Sequence, residues 1–243
     1  MQSNTYSGHV LITGATSGVG LATLKEFHDK GYFVYFTYKV SVEKALEIEE
    51  NFPNTKSFQL DLSSNFNIKS FFKKINKLNI KLDALINNAA QTKFINQDKQ
   101  NSFNEDDFLY YVQINLVSCY AMIFHAKKIM NLGASIVNIA SVAAFNGIGS
   151  NIAYSASKAG IVNLTKSLSR QYKGFVRVNA VAPGLLKTSL TSNFPEKYFE
   201  SYKDSTSMGE LASVEDIANV VYSLVCTMKF VNGQCIVVDG GCV

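Results

Sequence analysis

Residues 9–20 read H-V-L-I-T-G-A-T-S-G-V-G. The apolar run 9–13 predicts a short buried strand, and L-A-T-L-K-E-F-H-D-K, from Leu21 onward, predicts a helix. Between them lies a turn carrying Gly14, Gly18 and Gly20. Strand, glycine turn and helix start together make an anion site, because glycine lets the backbone approach a phosphate while free N–H groups and the helix dipole face it. A tight β-to-α turn that binds nothing fits the same residues, and it is the place after the first strand that points to binding.

Further strands are expected at 32–39 (Y-F-V-Y-F-T-Y-K), 56–60, 82–86, 134–140 and 175–182, with a closing strand and turn in V-N-G-Q-C-I-V-V-D-G-G. Helices are expected at 42–51, from 65 onward, around Asn115, after Tyr154, and at 213–225, where Ser213 and Asp216 have capping-box spacing. Residues 91–107 are polar and read as a loop over the substrate side followed by a helix cap.

The chain has 243 residues, enough for one large α/β domain or two small ones, and with no linker, repeat or low-complexity tract one domain over 1–243 is expected. A hydrophobic fraction of 47% and a charged fraction of 17% suit a soluble globular protein. The net charge of +4 comes from scattered lysines, with arginine only at Arg170 and Arg177, which gives no support to a nucleic-acid groove. The first ten residues lack a charged and then apolar leader pattern, and no uninterrupted apolar run reaches the roughly 18 residues of a membrane span. A cytoplasmic protein without membrane contact is expected. Cys119, Cys226, Cys235 and Cys242 are widely spaced without C-x-x-C, and His9, His28 and His125 show no ligand spacing, so no metal site is expected.

Residues 154–158 read Y-S-A-S-K. On a helix, Tyr154 and Lys158 share a face, and a positive charge beside a phenol lowers its pKa from about 10 towards the range useful to a general acid or base. Tyr and Lys four apart also occur by chance on many helices. Their neighbours change that: Thr13 with the glycine turn gives T-G-x-x-x-G-x-G, residues 87–89 read N-N-A, and Pro183-Gly184 follows a strand.

In these motifs the chain resembles the short-chain dehydrogenase/reductase family over essentially its whole length. The resemblance implies one doubly wound, Rossmann-type α/β domain with a parallel sheet of about seven strands and helices on both faces. It implies a catalytic tetrad of Asn115, Ser141, Tyr154 and Lys158, with Tyr154 thirteen positions after Ser141. In that role Tyr154 donates the proton, Ser141 orients the carbonyl, Lys158 lowers the tyrosine pKa and binds the nicotinamide ribose, and Asn115 holds a water on the proton path. It places Gly14, Thr16, Ser17, Gly18, Val19, Gly20, Asp61, Leu62, Asn88, Ala89, Pro183, Gly184 and Thr188 at the cofactor, with Tyr154 and Lys158. Asp61 would meet the adenine edge, or serve as cap to the next helix. Ala90 departs from the family's N-N-A-G, and its methyl adds bulk to a tight turn.

An acid at the end of the second strand would hold the ribose hydroxyls of NAD. Here stand Tyr38, Lys39 and Ser41, so NADP(H) is expected over NAD(H), although Lys39 equally fits a solvated surface lysine and Ser17 stands where many NADP-preferring relatives carry a basic residue. Residues 189–208 match the family's mobile lid. The implied activity is hydride transfer between nicotinamide and a ketone or secondary alcohol, most like reduction of a 3-oxoacyl thioester, possibly carried on an acyl carrier protein. Against this, Glu210 stands where such relatives usually have arginine. Another small ketone, sugar or secondary metabolite is the alternative, and a non-catalytic NADP(H)-binding regulator is a further one. A homo-oligomer, tetramer or dimer, is implied by resemblance alone.

Overall fold

The computed structural model describes residues 6–95 and 103–243. The first half runs β1 (His9–Ile12), α1 (Gly18–Asp29), β2 (Phe33–Tyr38), α2 (Val42–Asn51), β3 (Thr55–Gln59), α3 (Asn65–Asn76) and β4 (Leu82–Asn87). After it come α4 (Glu105–Val112), a π-helical turn (Gln113–Val117), α5 (Ser118–Ala126), β5 (Met130–Ile139), α6 (Ala143–Asn146) and α7 (Ile152–Gln171). The chain closes with β6 (Arg177–Pro183), α8 (Glu196–Ser205), α9 (Val214–Cys226) and β7 (Cys235–Val238).

The strands form one seven-stranded parallel sheet in the order β3-β2-β1-β4-β5-β6-β7. Parallel strands covered on both faces need apolar residues in both alternating sets. Val10 and Ile12 of β1 join Leu24 and Phe27 of α1 and Val221 and Leu224 of α9 on one face. Leu11 joins Ile68, Phe72, Met122 and Leu168 on the other. The chain starts in the middle of the sheet, winds outward through β2 and β3, then returns to build β4 beside β1. The C-terminal ends of β1 and β4 therefore open a crevice at the point where the winding reverses, the usual ligand position in such sheets.

The predicted elements stand close to these bounds, with five differences. β5 begins at Met130 rather than 134, because Gly133 takes a left-handed φ of 82° and a register shift between Leu82 and Ala84 absorbs the irregular start. α6 was not expected, and residues 196–205 of the stretch matched to a lid form a helix. Asp61 does not cap α3, whose N-cap is Ser64; its carboxylate accepts from the Ser63 N–H at 2.9 Å and so shapes the turn before the helix. The helix Glu105–Ile129 is long and apolar enough by composition to cross a membrane, although Gln113, Asn115 and Ser118 punctuate its apolar residues. In this fold its Ile114, Cys119, Met122 and Ile123 are buried.

The caps follow local chemistry. Asn104 and Asp107 form a capping box at α4, and Ser213 and Asp216 form the expected one at α9. Residues 96–102 of the loop expected over the substrate lie outside the described residues.

Candidate active site

A cleft of ≈ 1170 Å³ runs across the C-terminal ends of β1, β2, β4, β5 and β6. At its cofactor end the turn after β1 is welded to the turn after β4. Asn88 donates its side-chain amide to the carbonyls of Thr13 and Gly14, both at 2.9 Å, while Thr13 Oγ1 accepts the N–H groups of Asn88 and Ala89, both at 3.0 Å. Gly14 has a φ of 67°, which favours glycine. At Gly20 a Cβ would lie 2.4 Å from the Gly14 carbonyl oxygen and 2.5 Å from the Asn88 amide nitrogen, so only glycine lets α1 come this close.

Ser17 occupies the N-cap of α1 without a side-chain cap bond; its hydroxyl instead pairs with that of Ser189 at 2.9 Å. The first N–H groups of α1 thus have no intrahelical or capping side-chain partner, and they sit at the dipole's positive end. With the glycine cradle and the size of the cleft, they fit a dinucleotide pyrophosphate.

Thr16, Ser17, Gly18, Val19, Tyr38, Lys39, Ser41, Asp61, Leu62, Asn88, Ala89, Pro183, Gly184 and Thr188 all line this cleft with Gly14. Lys39 Nζ stands 3.2 Å from an Asp61 carboxylate oxygen, a pairing 22 residues apart in sequence. Burial would raise the Asp61 pKa, but the Ser63 N–H and hydroxyl and the Lys39 ammonium outweigh it and hold the carboxyl below its usual range. Ala90 also lines the cleft, and it is not among the positive-φ residues, so its methyl meets no backbone strain.

Ser141, just past β5, and Tyr154 and Lys158, on α7, line the same cleft. Asn151 caps α7 by accepting the Tyr154 N–H at 2.8 Å, which fixes the first turn that carries the phenol. Lys158 is 2% exposed, and its Nζ donates to the Ile139 carbonyl at 2.6 Å. That same nitrogen is 5.4 Å from the centre of the Tyr154 ring.

The electrostatics differ from the expectation that Lys158 lowers the tyrosine pKa. Burial pushes the Tyr154 phenol up to about 12, and the opposing influence is the hydrogen bond with the Ser141 hydroxyl. Burial also pushes Lys158 down to about 8, countered by the Cys119 thiol nearby. Spacing along a helix reveals that two groups are neighbours but not how far each is withdrawn from water, and desolvation is the leading influence on both.

Gly20 and Asn115 lie behind the cleft wall. Asn115 sits in the π-helical turn, 2% exposed, and its amide makes a two-way bridge to the backbone of Gln91: it accepts the N–H and donates to the carbonyl, each at 2.9 Å. With Thr13, Asn87 and Ser118 it borders a small void of ≈ 10 Å³, at the lower limit for holding one water. The residues 91–95 that follow are thereby tied to the helix. The other end of the cleft is lined by Phe94, Ile148, Leu190, Phe194 and Tyr198, four of them in the two stretches expected to cover the substrate, but sequence reasoning named none of these side chains. The aromatic content of 191–203 was its one signal.

A nucleotide-sized cleft at the switch point, with a protonated phenol and a buried lysine at its floor, defines a dinucleotide-dependent oxidoreductase acting on C=O or CH–OH. Residues 14–243 match the family model described as enoyl-(acyl carrier protein) reductase. Over 240 residues the chain is 31% identical to the 3-oxoacyl-[acyl-carrier-protein] reductase FabG of Aquifex aeolicus, covering 95% of each. It is 30% identical over 242 residues to a 3alpha-hydroxysteroid dehydrogenase of Mediterraneibacter gnavus, covering 95% of this chain and 94% of that one. A solved 4-hydroxyisoleucine dehydrogenase complexed with NADH superposes with a TM-score of 0.88 at 26% identity, covering 98% of this chain and 99% of that one. The chain belongs to the short-chain dehydrogenase/reductase family, whose members bind a nicotinamide cofactor.

Proposed function

We propose that the protein is an NADP(H)-dependent reductase of a 3-oxoacyl thioester. The observation that carries the reaction type is that Ser141, Tyr154 and Lys158 line one cleft with the glycine turn. The substrate class is supported by the 31% identity to a 3-oxoacyl-[acyl-carrier-protein] reductase over nearly the full length of both chains.

A bound nicotinamide supplies the hydride that reaches the carbonyl carbon. Ser141 donates a hydrogen bond to the carbonyl oxygen and orients it. Tyr154 gives its proton to that oxygen as the C=O π bond breaks, leaving an alcohol and a phenolate. A phenol with a pKa of about 12 stays protonated through the neutral range and is therefore a standing proton donor. Lys158, held behind it, stabilises the phenolate as it forms and binds the nicotinamide ribose. Asn115, in the role the family resemblance implies, would hold a water on the path that returns the proton. Opposite, the free N–H groups of α1 bind the pyrophosphate.

The choice of NADP(H) is supported by the end of β2, where Tyr38, Lys39 and Ser41 line the cleft and no acid stands. A 2′-phosphate there would take Lys39 from Asp61 and accept its charge-assisted hydrogen bonds. A homo-oligomer belongs to the same proposal; exposed Leu109, Tyr120 and Phe124 on α4 and α5 support it. The likeness to a 3alpha-hydroxysteroid dehydrogenase favours a second reading, reduction of a different apolar ketone.

The test follows NADPH and NADH absorbance with acetoacetyl thioester, with crotonyl thioester as the enoyl control. Oxidation of NADPH with the acetoacetyl substrate alone is expected. Oxidation with the crotonyl substrate alone would move the activity to an enoyl group.

A further inference from the structure

The strap 91–95 leaves the end of β4 and runs along the mouth of the cleft. It is tied to the start of α7. The Ile95 N–H donates to the Ser150 carbonyl at 3.0 Å, and the Asn151 amide donates to Thr92 Oγ1 at 3.1 Å and to the Lys93 carbonyl at 3.0 Å. From this anchored strap the Phe94 ring reaches the opposite wall, built by α8 and the residues before it. Its centre lies 4.9 Å from that of Phe194 and 5.1 Å from that of Tyr198, the latter edge-on at 72°. All three rings line the cleft that holds Ser141 and Tyr154. Ile148 and Leu190, 73% and 37% exposed, add bare aliphatic surface beside them.

Several polar groups at this end are engaged within the protein, while the buried Tyr202 hydroxyl is left without a partner among the described residues. Asn146 Oδ1 accepts the Ile148 N–H at 2.9 Å, the hydroxyls of Thr92 and Ser150 bond to each other, and Ser205 donates to the Tyr202 carbonyl at 2.6 Å. Among the described residues lining the cleft, the charged side chains are Lys39 and Asp61, paired at the cofactor end, and Lys158, bonded to Ile139. A polyhydroxylated or phosphorylated substrate entering under the rings would lose hydration and gain few partners. Hydrocarbon would gain burial against aromatic faces.

We propose that Phe94, Phe194 and Tyr198 form an aromatic clamp that selects hydrocarbon attached to the reacting carbonyl. The chain then takes ketones with an extended aliphatic or flat ring portion and rejects polyols and sugar phosphates. This specificity rests on the ketone-reductase reading, but not on the thioester.

The experiment compares kcat/KM for two homologous pairs, 3-oxobutanoyl with 3-oxooctanoyl thioester and 2-butanone with 2-octanone, together with dihydroxyacetone. The longer member of a reacting pair should be preferred by about tenfold or more, mainly through KM. Phe94→Ala and Tyr198→Ala should each pull that ratio towards one while leaving the NADPH Kd unchanged, and Tyr198→Phe, which keeps the ring, should retain it. As a readout independent of turnover, 2-octanol should raise the Tm of the cofactor-loaded wild type, and lose this effect in Phe94→Ala; glycerol at equal concentration should not raise it. Equal use of both chain lengths, dihydroxyacetone used as well as 2-octanone, or a preference that survives in both folded alanine variants would overturn the clamp. Inert thioesters beside a clamp-dependent preference for 2-octanone would overturn the thioester reading and leave the clamp standing. Thioester turnover without length preference would do the reverse.

Discussion

Lys158 donates its hydrogen bond to the carbonyl of Ile139, at 2.6 Å, across the junction between α7 and the last residue of β5. Two residues further along the chain stands Ser141, and one helical turn back on α7 stands Tyr154. One contact therefore ties the strand that carries the serine to the helix that carries the tyrosine. The ammonium is also nearly cut off from water, and burial brings its pKa down to about 8.

The pH dependence of reduction should report this lysine. If the ammonium stabilises the nascent phenolate, kcat/KM for reduction falls as pH rises past about 8, because the neutral amine no longer does so. Tyr154 contributes no limb below pH 9, since its value lies at about 12. A profile flat from pH 6 to 10 would contradict the role given to Lys158.

Stability carries the same signature. A lysine whose folded value is lowered from 10.5 to about 8 binds fewer protons than the unfolded chain between those values. Its contribution therefore becomes more favourable as pH rises through that window, and its cost is fully present below about pH 8. The Tm of wild type minus that of Lys158→Met should increase between pH 8 and 10.5, as followed by calorimetry. A difference that shrinks would refute the lowered value.

Lys39 should set the cofactor preference. Lys39→Ala is expected to raise the Kd for NADPH about tenfold, the scale of one lost charged hydrogen bond, and to leave NADH within about twofold. Added salt should narrow the difference, since the side chain is 38% exposed. Equal weakening of both cofactors in titration calorimetry would show that Lys39 does not meet the 2′-phosphate.

Gly20→Ala tests the cradle. A methyl 2.4 Å from the Gly14 carbonyl oxygen and 2.5 Å from the Asn88 amide cannot be housed unless the two turns part. A stability loss of roughly 1–3 kcal/mol is expected, with NADPH binding weakened beyond what the lower Tm explains. Unchanged Tm and Kd would show that the loop yields freely.

Much of this was legible from local chemistry. The bounds of α2, the capping box at Ser213 and Asp216, and the glycine turn all depend on neighbours within a few residues. The alternation of Val10, Leu11 and Ile12 between two cores required only a buried parallel strand. What could not be read involves partners far apart in the chain. Lys39 meets Asp61 across the ends of β2 and β3, and Phe94 meets Tyr198 from over a hundred residues away. The pKa of Tyr154 reversed expectation for a related reason: its four-residue spacing from Lys158 is visible in sequence, whereas the withdrawal of both groups from water depends on the surrounding fold.

The most direct measurement of the central claim is NADPH oxidation with acetoacetyl thioester by wild type and Tyr154→Phe, each first shown to bind NADPH. Removing one hydroxyl should lower kcat by at least about a hundredfold, the lower range for loss of a general acid, with NADPH Kd within twofold of wild type. A Tyr154→Phe variant that keeps most of its turnover would contradict the assignment of Tyr154 as the proton donor.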